Sequence, residues 1–297
     1  MNLKYIVDDS HAGKVLKTIL KHELEISERL IKKLKYDGKI LCNSVPVFVN
    51  TIVQSGDVIE VNIEFTEECD EVIPEEIEID ILYEDDYLIA LNKQPNIVVH
   101  PTSSHPSGTV ANAVMHHLLQ KGICRKVRPV SRLDRDTTGI ILFAKNQFVQ
   151  EFLIRQMKDK IFSKEYIGVV MGSIPDEKGT IDLPIERKPG SIMLRHTTPT
   201  GAPSITHYEV LARLNGATLL KFKLETGRTH QIRVHCQAIG HPLMGDTLYS
   251  DIPTPLIDRQ ALHSQRVRFL HPHSREPFEL IAPVPADISN LLEELRP

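Results

Sequence analysis

The chain has 297 residues, 41% hydrophobic and 25% charged, which suits a soluble globular protein with a sizeable core, built as two domains or as one large domain with an appendage. No run of about 18 apolar residues occurs, which excludes a transmembrane helix, and the N-terminus, with Asp8 and Asp9 near its start, lacks the layout of a signal peptide. The net charge of −4 is unevenly spread: residues 64–86 hold twelve acids and no Lys or Arg, and without those acids the rest carries +8, a balance that suits a polyanionic partner. Cys42, Cys69, Cys124 and Cys236 form no C-x-x-C pair, so free thiols in a reducing cytoplasm are expected, with no disulfide framework and no zinc site.

Residues 13–35 place Val15, Leu16, Ile19, Leu20, Leu24, Ile26, Leu30, Ile31 and Leu34 at helical spacing, interrupted around Glu23–Ser27. Two short helices are expected, the second capped by Ser27. Asp37-Gly38 and Gly56-Asp57 read as turns between strand-like Ile40-Leu41, Val45–Val49 and Val58–Ile63. This order resembles the ribosomal-protein-S4-like RNA-binding domain, through Ser27-Glu28-Arg29 and Ser55-Gly56-Asp57-Val58-Ile59. The resemblance implies a small α/β RNA-binding domain over residues 1–63, with Lys14, Lys17, Arg29, Lys32 and Lys33 facing RNA. The plainer alternative is that these cations only solvate the helices.

Residues 64–78 are acidic, contain Pro74 and read as a linker to a domain spanning 79–297. That domain opens with strand-like Ile79–Tyr83 and Tyr87–Asn92. Further strands are expected at Ile140–Ala144, Tyr166–Met171, Ile205–Leu211, Leu219–Leu224 and Arg266–Phe269, and helices at 109–119, 147–157 and 229–239. Many short strands with a few helices between them predict an α+β fold, with a mixed, largely antiparallel central sheet flanked by helices.

Several segments carry chemistry. Residues 131–139 interleave Arg132, Asp134, Arg135 and Asp136 ahead of the apolar run Ile140–Ala144. A neighbouring positive charge favours the ionised form of a carboxylate, and guanidiniums also bind phosphate. His100-Pro101-Thr102, with Ser103, Ser104, Gly108 and Thr109, forms a polar loop ending at a helix N-terminus that suits a phosphate. Tyr166, at the mouth of a strand, offers a ring for stacking on a base. In Thr226–His235, Gly227 makes a turn, Thr229 caps the helix, Arg233 lies one turn in and Gly240 closes it. His230, His235 and His241 do not share one helix face and have no carboxylate at a ligand position, and His263, His271 and His273 lack the H-E-x-x-H order, so no metal site is expected.

Taken in order, these motifs resemble the RluA-type branch of the RNA pseudouridine synthases over roughly residues 80–282. They are His100-Pro101, Arg132-Leu133-Asp134 with Thr137-Thr138-Gly139, Lys164 with Tyr166 and Gly172, Thr226 through His235, Gly240-His241-Pro242-Leu243 with Gly245-Asp246, and Leu262-His263 with His271-Pro272. The resemblance implies that Asp134 is the catalytic carboxylate, Arg233 its partner and Tyr166 the ring that stacks on the target base. It implies that Arg132 holds the RNA open, Leu262 packs near the aspartate, and Arg228, His230, Gln231 and His100 lie on the substrate side. One departure is Ser131, where the family commonly has His. The implied reaction is isomerisation of uridine in structured RNA, most naturally large-subunit ribosomal RNA, with transfer RNA as the alternative. A non-catalytic RNA-binding or assembly factor is the rival reading. No cofactor, membrane or obligatory protein partner is implied, and a cytoplasmic monomer is expected.

Overall fold

The computed structural model describes residues 1–64, 72–102 and 105–297. Cys69 and most acids of the stretch before Val72, and Ser103 and Ser104 of the polar loop, lie outside them. The first unit runs β1 (Asn2–Ile6), α1 (Leu16–His22), α2 (Glu28–Tyr36), β2 (Ile40–Cys42), β3 (Val45–Pro46) and β4 (Val58–Asn62), with sheet order β1-β4-β2-β3. The two helices part where the spacing predicts. Glu25 takes a left-handed φ of 55°, and Ser27 Oγ accepts the Leu30 amide at 3.2 Å. The strand expected over Val45–Val49 shrinks to two residues. Pro46 has no N–H for a ladder, and Phe48 is left 71% exposed.

This unit is not loosely tethered. Leu16, Ile19, Leu30, Leu34 and Ile59 belong to one apolar cluster with Leu88, Ile140, Phe148, Phe152 and Val267 of the larger unit. Glu25 is also pinned across the junction: its carbonyl accepts from Arg155 at 2.8 Å, and its carboxylate meets both Arg155 and Arg275. The described part of the acidic stretch packs against the larger unit. Asn112 Nδ2 donates to the Ile73 carbonyl at 2.7 Å, the Glu75 amide donates to the Asn112 carbonyl at 3.2 Å, and Val72 is buried. A few apolar residues among the acids are enough to dock it. The cysteine expectation is corrected: Cys42 and Cys236 are free, but Cys124 is disulfide-bonded, since separation along a chain does not limit approach in space.

The larger unit contains β5 (Ile81–Glu84), β6 (Leu88–Lys93), α3 (Val110–Gln120), β7 (Arg128–Pro129), β8 (Thr138–Ala144), α4 (Gln147–Lys158), β9 (Ser163–Met171) and β10 (Lys178–Asp182). It continues with β11 (Ile185–Arg187), β12 (Arg195–Thr197), β13 (Ile205–Leu214), β14 (Ala217–Leu224), α5 (Gln231–Ala238), β15 (Leu262–Leu270), β16 (Pro277–Ile281) and α6 (Ala286–Glu294). Among the described residues its main sheet runs β10-β13-β14-β9-β15-β8-β6-β5, with β16 on β15 and β7 on β8, while β11 and β12 form a separate hairpin. The sheet is mixed and largely antiparallel, as expected. β6 and β8 are apolar at nearly every position because both faces are covered: Ile89, Leu91, Ile141 and Phe143 pack with α3, and Leu88, Ala90, Ile140 and Leu142 with α4. On β9 the alternation places Tyr166 and Val170 towards α5 and Val169 towards α6. Among the described residues no helix is long and apolar enough to cross a membrane.

Among the described residues one pairing in the main sheet is parallel: β8 against β15, through Thr138 with His263 and Gly139 with Ser264. It brings the segment leading out of Asp134 beside the start of β15. Gly139 permits the approach, with φ +103° and room for no Cβ, which would lie 2.2 Å from the Ser264 carbonyl oxygen. Gly139→Ala is therefore expected to cost about 3 kcal/mol or more by backbone strain and clash. Urea denaturation measures this, and a variant as stable as the parent would refute it.

Candidate active site

At this junction lies a cleft of about 730 Å3, with Asp134, Arg233, Tyr166, Leu262, His230 and Arg132 in its wall. Asp134 sits in the turn before β8, which is closed by the Thr137 amide donating to the Asp134 carbonyl at 3.2 Å. Beneath this turn, buried Lys93 at the end of β6 donates to the carbonyls of Gln94 (2.8 Å), Ile97 (3.0 Å) and Arg135 (2.7 Å). Burial pushes the Lys93 ammonium down to about 7, against the pull of Asp136 and Asp134. Arg259 fastens the turn from the other side, donating to the carbonyls of Asp136 (3.0 Å) and Leu262 (3.3 Å) while Asp287 holds it in a bidentate pair.

The two carboxylates of the turn part company. Asp134 Oδ2 meets Arg233 Nη1 at 3.3 Å. Asp136 is bound by its neighbour Arg135 at 3.1 Å and does not line the cleft. Glu225, a second carboxylate of the lining, is engaged by Lys160 (2.5 Å) and His207 (2.7 Å).

Arg233 is only 5% exposed and Asp246 only 1%. The Arg233 guanidinium forks onto the Asp246 carboxylate with two bonds of 2.7 Å, leaving Nη1 for Asp134. Burial alone would lower the Arg233 pKa, but bonds and charge from Asp246 and Asp134 raise it above its ordinary value, so the cation is permanent. α5 begins one residue later than the Thr229 cap predicts. His230, at φ 58°, is the residue before the helix, and no side-chain cap bond forms there. Gln231 orders the turn instead. Its Oε1 accepts from Thr226 Oγ1 (2.8 Å) and the Arg228 amide (3.0 Å), and its Nε2 donates to the Ile205 carbonyl and Thr206 Oγ1 (3.0 Å each). Gln231 lines the cleft, with the donors and acceptors of its side-chain amide already engaged in the turn.

Tyr166 is paired in register with Phe222 on β14 and Ser264 on β15, and shares an apolar wall with Leu262, Phe222 and Ile232. Burial, opposed by the Ser264 hydroxyl and reinforced by the Asp134 charge, raises the phenol pKa, which keeps it protonated at neutral pH. At the rim, Arg132, Arg228 and His100 are exposed. Arg132 reaches Thr229 Oγ1 at 3.4 Å, and Arg228 the Pro203 carbonyl at 3.3 Å. Ser131 lines the cleft, as does Lys164, whose ammonium burial pushes down to about 8.

The helix N-terminus behind His100 does not suit a phosphate as expected. Thr109 and Asn112 form a capping box, the Val110 and Ala111 amides donate to the Val98 and Val99 carbonyls, and the Gly108 amide meets the Glu75 carboxylate. His235 and His241 are likewise occupied, by Thr206 with the Leu183 carbonyl and by the Met171 carbonyl. Lys14, Lys17, Arg29, Lys32 and Lys33 are all exposed on the first unit and away from the cleft, with Lys17 3.2 Å from Glu28. Lys93, Tyr249 and the buried partner role of Asp246 escaped the sequence reading. A lysine ending an apolar strand was the available signal for the first.

A family model described as RNA pseudouridylate synthase matches residues 87–238. The chain is 40% identical over 272 residues to the uncharacterized RNA pseudouridine synthase YjbO of Bacillus subtilis, covering 91% of this chain and 96% of that one. It is 37% identical over 305 residues to the ribosomal large subunit pseudouridine synthase D of Vibrio parahaemolyticus, covering 98% and 93%. Among solved structures, Human RNA Pseudouridylate Synthase Domain Containing 1 matches with a TM-score of 0.57 at 25% identity, over 69% of this chain and 83% of that one. Matches of this extent, on a chain whose cleft holds a carboxylate against a permanent cation, mean that it belongs to the RNA pseudouridylate synthase family and is an isomerase that forms pseudouridine in RNA.

Proposed function

We propose that this synthase isomerises uridines in structured large-subunit ribosomal RNA, with Asp134 as the reacting carboxylate. The observation that carries the reading is the placement of Asp134 between the Arg233 guanidinium at 3.3 Å and the apolar wall of Tyr166 and Leu262. The ribosomal substrate is supported by relatives named ribosomal large subunit pseudouridine synthase D in Vibrio parahaemolyticus and Escherichia coli, at 37% and 36% identity.

The reaction breaks N1–C1′, turns the uracil and joins C5 to C1′. The proton leaving C5 is balanced by one gained at N1. An ionised carboxylate starts it, by attack on the nucleotide or by removal of a sugar proton. The uridine must first leave its stack, which costs a few kcal/mol. Tyr166 stacks on the freed base and Leu262 closes beside it. Arg132, Arg228 and His100 at the rim hold the backbone around the gap, and His230 faces the carboxylate from the far side. Residues 1–63 act as the S4-like RNA-binding domain, presenting Lys14, Lys17, Arg29, Lys32 and Lys33, and residues 79–297 form the catalytic domain.

The test is a pseudouridine map of total RNA from host cells with and without the gene, complemented by the wild type or by Asp134→Asn. Loss of one or a few large-subunit sites, restored by the wild type alone, is expected. Loss confined to transfer RNA would refute the substrate, and restoration by Asp134→Asn would refute the role of Asp134.

A further inference from the structure

Tyr249 lies in the turn that follows Asp246, its amide donating to the Asp246 carbonyl at 3.3 Å, and it is 4% exposed. Its ring lies 5.0 Å from the Arg233 guanidinium carbon and stands edge-on to His230, with centroids 5.5 Å apart. Its hydroxyl accepts the Arg195 backbone N–H from β12 at 2.9 Å and lies 2.7 Å from His230 Nδ1. The other ring nitrogen of His230, Nε2, lies 3.9 Å from Asp134 Oδ1, the carboxylate oxygen that Arg233 does not hold.

These contacts fix a proton. The Arg195 amide can only donate, so it occupies an acceptor site on the phenol oxygen. If His230 Nδ1 also donated to that oxygen, the buried phenol proton would have no acceptor, a loss that a dry site does not tolerate cheaply. The phenol therefore donates to Nδ1, and the neutral imidazole carries its hydrogen on Nε2. Burial, opposed by Asp134 and aided by Arg233 and Arg195, lowers the His230 pKa and favours the neutral ring.

We infer that Tyr249 is a positioning residue that locks His230 in the Nε2–H tautomer, so that a neutral donor faces the free oxygen of Asp134. The opposite tautomer would set a lone pair against that carboxylate. Asp134 is thus flanked by two unlike donors, a fixed cation on Oδ2 and a neutral N–H directed at Oδ1. Because Arg195 belongs to the β11–β12 hairpin, the lock also joins that hairpin to the carboxylate. The inference rests on Asp134 being the reacting group.

Two measurements on the full chain test it. Ring nitrogen NMR of histidine-labelled protein, with the His230 signals identified from a His230→Gln sample, is expected to show Nδ1 unprotonated and Nε2 protonated. In Tyr249→Phe the tautomer is expected to become mixed or reversed. A protonated Nδ1 in the wild type overturns the proposal whatever the activity.

Turnover on an RNA transcript bearing the mapped site is the second measurement. Tyr249→Phe is expected to lower kcat about ten- to a hundredfold with little change in KM. His230→Gln, whose amide nitrogen reaches the Nε2 position, is expected to retain more turnover than His230→Asn, although Asn better tolerates the φ of 58°. Asn equal to or better than Gln, or full turnover by Tyr249→Phe, overturns the positioning role. If Asp134→Asn also turns over normally while the tautomer is as expected, the error lies in the assignment of Asp134 and not in the lock.

Discussion

Replacing Asp134 with Asn is expected to abolish turnover, by at least about a thousandfold, while fold and RNA affinity survive. The substitution keeps the shape of a side chain that is 23% exposed. It removes the charge yet strands no buried ion, because Arg233 retains its bidentate pair with Asp246. Single-turnover assays, filter binding and thermal melting would separate the three properties. Asp136→Asn is the internal control. Its carboxylate faces Arg135 outside the cleft, so this variant is expected to remain active. An inactive Asp136→Asn beside an active Asp134→Asn would show that the carboxylate has been misassigned.

Asp246→Ala is expected to be damaging in a different way, costing about 3–5 kcal/mol of stability together with turnover, because it leaves the Arg233 cation buried without its main partner. The freed guanidinium would turn towards Asp134, the nearest remaining anion, and hold both of its oxygens. Asp246→Asn, which keeps one acceptor and the volume, is expected to fall between the two. Urea denaturation at neutral pH checks the first part and turnover the second. An Asp246→Ala protein as stable as the parent would show that Asp134 alone satisfies Arg233.

The helix pair broken at Glu23–Ser27, the Ser27 cap and the doubly covered strands β6 and β8 were legible because each depends on neighbours within a few positions. The helix α6 was legible as well, though not read: Ile288, Leu291 and Leu295 repeat at helical spacing behind Pro285. The site yielded less. Periodicity could not choose between Asp134 and Asp136, since their difference is the direction each side chain takes from one turn. Asp246 appeared only as part of a motif. Its partnership with Arg233 and the contacts of Tyr249 with β12 and His230 are made in space by a loop that has no periodicity to read. The polar loop at His100 misled because composition suggests an open helix end, whereas Glu75, Val98 and Val99 close it.

The parallel pairing of β8 with β15 has a consequence for how an active molecule comes into being. Thr138, just after the aspartate turn, meets the Leu262 carbonyl of a segment 124 positions later. A ribosome that has released β8 has already made Asp134, but the opposing wall is still unsynthesised. Contacts of such separation form late, because the intervening chain must first be ordered. The growing polypeptide therefore exposes Asp134 with no complete pocket around it until the segment that carries Leu262 has been made and docks. Unfinished chains would be inert towards the RNA of the cell that is making them.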